Sequence, residues 1–156
     1  MNLPGYALKL DLKKMEQENS TSDKARIIAD LDWNIKIWKT DLQFIEEEIT
    51  FIERLLKSNA FNTNTPNLFE RLQNYGSRIA SLTSGCQEIK KDIYTFLRDL
   101  EFIGENTHSS VLVAENKRLD KLKAEVKECL VNFKHLKAEI FHYADGVLKM
   151  YSKVEK

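Results

Sequence analysis

Three stretches of the chain carry an apolar residue at every third or fourth position, in alternation, and no seam position is charged. The first runs Ile28, Leu31, Ile35, Trp38, Leu42, Ile45, Ile49, Ile52 and Leu56. The second runs Leu68, Leu72, Tyr75, Ile79, Leu82, Cys86, Ile89, Ile93, Phe96, Leu100 and Ile103. The third runs Leu119, Leu122, Val126, Cys129, Phe133, Leu136, Ile140, Tyr143, Val147, Met150 and Val154. Alternating steps of three and four average to the period that winds helices into a left-handed supercoil. The pattern predicts helices over about residues 23–58, 66–103 and 109–154.

The polar stretches between the seams supply the boundaries. Asn19-Ser20-Thr21-Ser22 reads as a hinge ending in an N-cap, with Asp23 in the first turn of the next helix. Residues 1–22 then form a separate N-terminal leader, in which Leu8, Leu12 and Met15 fall at the spacing of a short helix. The Asn- and Thr-rich run from Ser58 to Thr65 breaks the first helix, and Thr65-Pro66 reads as N-cap and N1 of the second. Gly104 suits a left-handed C-terminal cap.

Connections this short make neighbouring helices antiparallel. A turn centred near residue 62 places Leu42 opposite Leu82, and Trp38 opposite Cys86. The second connection brings Phe133 and Cys129 to the same two layers, so that seam meets seam throughout. The expected fold is all-α: a long antiparallel three-helix coiled-coil bundle over residues 23–156, with a short N-terminal appendage. In outline such a bundle is similar to spectrin-type repeats, a likeness of architecture that carries no function.

Charge narrows the partners. Lysine plus arginine equals aspartate plus glutamate at 24 each, so there is no electrostatic case for nucleic acid or an anionic membrane. No apolar run is long enough for a bilayer span, and the N-terminus lacks the basic and apolar regions of a signal peptide. Two widely spaced cysteines, both on seams, suit a reducing cytoplasm.

Motifs for chemistry are sparse. There is no glycine-rich phosphate loop, no HExxH and no nucleophile elbow, so the chain reads as no enzyme and as needing no cofactor. Glu139 and His142 have the Glu-x-x-His spacing of di-iron bundles, but such a site needs two copies and further glutamates. Cys86 and Cys129 form a possible redox pair. Together these give the alternative reading, a helical-bundle metal or redox protein.

The first helix has more apolar residues than its seam requires. Trp33, Ile37, Phe44 and Phe51 form a second stripe beside it. Three covers suit the stripe: ordinary burial within the chain, including the leader folded back over part of it, a second copy in a homodimer, or an amphipathic helix of another protein. The expected function is a non-enzymatic interaction or scaffold module that uses these four residues to bind itself or an unidentified partner.

Overall fold

The computed structural model describes the backbone of residues 4–103 and 109–149 and the side chains of residues 25–100 and 114–149. Three helices follow one another: α1 (Pro4–Leu56), α2 (Leu68–Ile103) and α3 (Ser109–Val147). They form the expected all-α three-helix bundle. No described helix is long and apolar enough to cross a membrane.

The seams make the core. In α1, every seam residue from Leu31 to Leu56 is buried, and Ile28 at the end of the seam is exposed. Tyr75, Ile79, Cys86, Ile89, Ile93 and Phe96 line the centre from α2, and Leu119 to Ile140 from α3. Close-packed layers of this kind are what a strict heptad imposes, because each seam side chain inserts among residues of the facing helices.

The helix ends differ from the expected ones in informative ways. α1 begins at Pro4 and passes through Asn19–Ser22, where the sequence suggests a hinge. Asn, Ser and Thr cost a helix only about 0.5 kcal/mol each relative to alanine, and good helix formers flank them. A continuous α1 carries residues 4–24 along the helix axis, so they do not fold back over Trp33. The helices hold 53, 36 and 39 residues, so α1 outruns α2 by about 25 Å at a rise of 1.5 Å per residue.

α2 starts at Leu68, two residues after the expected N1 proline. Asn67 takes the capping position, with its carbonyl accepting the Arg71 N–H at 3.1 Å. Its φ of 56° is left-handed, a conformation that asparagine tolerates better than most residues. Thr65 lies in the preceding turn, its N–H bonded to the carbonyl of Asn62.

α3 stops at Val147, short of the expected end near residue 154. Its last turn is captured by the α1–α2 connection. Asn62 donates its N–H to the carbonyl of Val147 at 2.8 Å, and Lys149 donates to the carbonyl of Ala60 at 2.7 Å. This antiparallel bridge holds Phe61, only 3% exposed, over the end of the core. Met150 and Val154 lie outside the described residues.

Register between α1 and α2 is shifted from the expected one. A turn centred near residue 62 sets Glu46 opposite Arg78. Instead Glu46 pairs with Lys90 at 2.5 Å, and Leu42 shares a cleft with Ile93 and Leu97. These contacts lie 11 to 15 residues further along α2 than that register places them, more than one heptad, and a slip by whole heptads maps seam onto seam as well as the expected register does. Cys86 accordingly feels the charges of Glu46 and Lys90. The thiol layer therefore sits near Ile45, about 10 Å along α1 from Trp38. Between α2 and α3 the expected register holds: Cys86 meets Cys129, and Arg78 and Arg118 reach Glu139 and Asp99.

α2 runs unbroken through Gly76 and Gly85. A Cβ at either would meet nothing within 4 Å, so close helix approach does not account for them. Gly76→Ala and Gly85→Ala should each raise stability by about 0.5–1 kcal/mol, read as a higher urea midpoint at unchanged slope.

Candidate interaction surface

The exposed apolar stripe follows from the arithmetic of α1. Residues 33, 37, 44, 51 and 55 lie within about 40° of arc at 100° per residue, beside the buried seam. Trp33 is 68% exposed, Ile37 40%, Phe44 52% and Phe51 59%. Leu55 closes the row, half-buried against the core. The four residues singled out in the sequence thus share one exposed face of α1. Scattered surface apolar residues are ordinary, whereas a contiguous row of large ones marks a contact site.

The stripe lies towards α3. On the opposite flank of α1, Lys39, Leu42 and Gln43 border α2 in one cleft, and Glu46 meets Lys90. On the stripe side, Lys137 of α3 is bonded to the carboxylate of Glu48. Its ammonium sits 5.9 Å from the Phe44 ring centre, 6.0 Å from Phe133 and 5.6 Å from Phe141. Three ring faces around one partly buried cation fix the Phe44 ring at the stripe's centre. The margin beyond it is charged in an ordered way. Asp30, Asp41 and Glu48 follow one edge of α1, and Lys137 of α3 meets Glu48 there.

Sequence reasoning missed the α3 contribution. Phe141 directly follows the seam residue Ile140, and Lys137 directly follows Leu136. An aromatic and a cation one step off the seam, four residues apart, were the available signal. Two further exposed aromatics, Phe69 and Tyr94, lie on α2 and border its clefts with α1.

The alternative metal residues are engaged otherwise. Arg78 donates two hydrogen bonds to the Glu139 carboxylate, at 2.9 and 2.8 Å. These bonds hold the Glu139 carboxyl below its ordinary pKa. The ion pair is thus present above the usual carboxylate range and is lost as pH falls through that depressed value. His142 is exposed, and His135 lines a cleft between α2 and α3. Among the described residues no group of three or more His, Cys, Asp or Glu could hold a metal ion.

Cys86 and Cys129 do come together. Both are buried and unbridged, and the Cys129 thiol donates a hydrogen bond to Cys86. That bond, burial and the adjacent sulfur all push the Cys129 thiol up. No protein-family model, curated protein or solved structure matches the chain.

Proposed function

We propose that the chain is a non-enzymatic association module, and that its stripe binds the same stripe of a second copy. One observation carries the reading: the spacing of the stripe is the same in both directions. Trp33, Ile37, Phe44, Phe51 and Leu55 are separated by four, seven, seven and four residues. A two-fold interface must be complementary to itself. An antiparallel copy with its axis at Phe44 sets Trp33 against Leu55, Ile37 against Phe51, and Phe44 against Phe44. No apolar position of the row is left opposite a charge.

Recruitment of a different protein's helix is the competing use of the stripe, and it requires no such symmetry.

The two-fold axis gives a direct test. A residue on the axis meets its own copy, so Phe44→Cys should cross-link into a covalent dimer under mild oxidation. Trp33→Cys should not, because its own copy lies about 33 Å away along the antiparallel helix. Comparable cross-linking at both positions, or at neither, would contradict the antiparallel register.

A further inference from the structure

The pair Cys86 and Cys129 sits where α2 and α3 are held in fixed register. The Arg78–Glu139 and Arg118–Asp99 ion pairs bracket it on both sides along these antiparallel helices. Cys86 is 1% exposed and Cys129 7%, both are free, and one thiol is hydrogen-bonded to the other. Cavity filling alone would call for two small apolar side chains at this layer, with no requirement that sulfur meet sulfur.

A path to the pair is present. An open cleft of about 630 Å³ runs between α2 and α3, and Gly85, Ile89 and Cys129 are among its walls. Gly85 is exposed, and a side chain there would meet open space. Its missing side chain leaves the wall low beside Cys129. A small oxidant can approach that sulfur without the helices separating.

We propose that Cys86 and Cys129 are a reversible oxidation site, closing to a disulfide that ties α2 to α3 when the protein meets a peroxide. The Cys86 sulfur, the more acidic of the two because the Cys129 thiol donates to it, attacks one oxygen of a peroxide admitted past Cys129 at the cleft. The O–O bond breaks, one water leaves, and Cys86 becomes a sulfenic acid. The Cys129 sulfur then attacks that sulfur and displaces the hydroxyl as a second water. Two thiols and one hydrogen peroxide give one disulfide and two waters, each sulfur losing one electron. The bond closes the long loop through the α2–α3 connection, which restricts the unfolded chain and stabilises the bundle.

The experiment uses the wild-type chain. Native protein is treated with hydrogen peroxide, then unfolded and alkylated, and its mass and peptides are measured. The expected product has lost two hydrogens, takes up no alkylating reagent and yields a Cys86–Cys129 peptide pair at every protein concentration. Dithiothreitol restores both thiols, and the oxidised form melts roughly 10 °C higher than the reduced one. Two thiols still alkylated after peroxide would overturn the proposal. So would linkage only between chains, or a disulfide that lowers the melting temperature.

Discussion

Phe96→Ala should remove about 3–5 kcal/mol of stability, the cost of deleting a large ring from a core that relaxes only in part. Phe96 is 1% exposed at the α2 seam. The Arg118 guanidinium lies 4.9 Å over the ring and also reaches Asp99 at 3.1 Å. Alanine therefore leaves a cavity and removes the surface on which an inter-helix ion pair rests. The same substitution at Phe69, which is 78% exposed, should shift stability by less than about 0.5 kcal/mol. Urea unfolding of both variants, followed by circular dichroism, separates the two. Equal losses would mean that Phe96 does not sit in the core.

Phe44→Glu/Phe51→Glu should abolish self-association while leaving the bundle folded. Both rings are more than half exposed in the single chain, so the helix tolerates a charge at either position. In a two-fold dimer the pair of substitutions enters as four carboxylates. Covering the exposed half of each ring contributes about 1 kcal/mol, so the four losses weaken the dimer by about a thousandfold before repulsion is added. Helicity and melting of the diluted, monomeric protein should change little. Phe51 shows the effect most cleanly, because Phe44 also neighbours the Lys137 ammonium.

How far the sequence is legible depends on what each feature repeats. The seams can be read residue by residue, because a sustained 3.5-residue period suits little besides wound helices, and every described seam side chain except Ile28 is buried or half-buried. The α1–α2 register cannot be read from the seams. A slip by whole heptads returns every apolar position to an apolar position, and only non-repeating contacts such as Glu46–Lys90 distinguish one register from another. Phe61 breaks the period and so reads as loop, yet it is core, held there by backbone bonds from Ala60 and Asn62 to the end of α3. Those long-range bonds also stop α3 early, one residue past Gly146, whose weak helix propensity is the local signal. The helical path through Asn19–Ser22 shows the reverse error, in which a run of mild helix formers resembles a break. On the stripe, the apolar residues of α1 are legible and the aromatic surroundings of Lys137 are not, because those contacts come from facing helices.

The measurement that bears most directly on a self-associating stripe is absolute mass by light scattering over a range of concentrations, for wild type and for Phe44→Glu/Phe51→Glu. The expected result is a wild-type dimer that dissociates on dilution, and a variant that is monomeric and fully helical throughout. A wild type that stays monomeric at high concentration, or a variant that remains dimeric, would contradict self-association through this face.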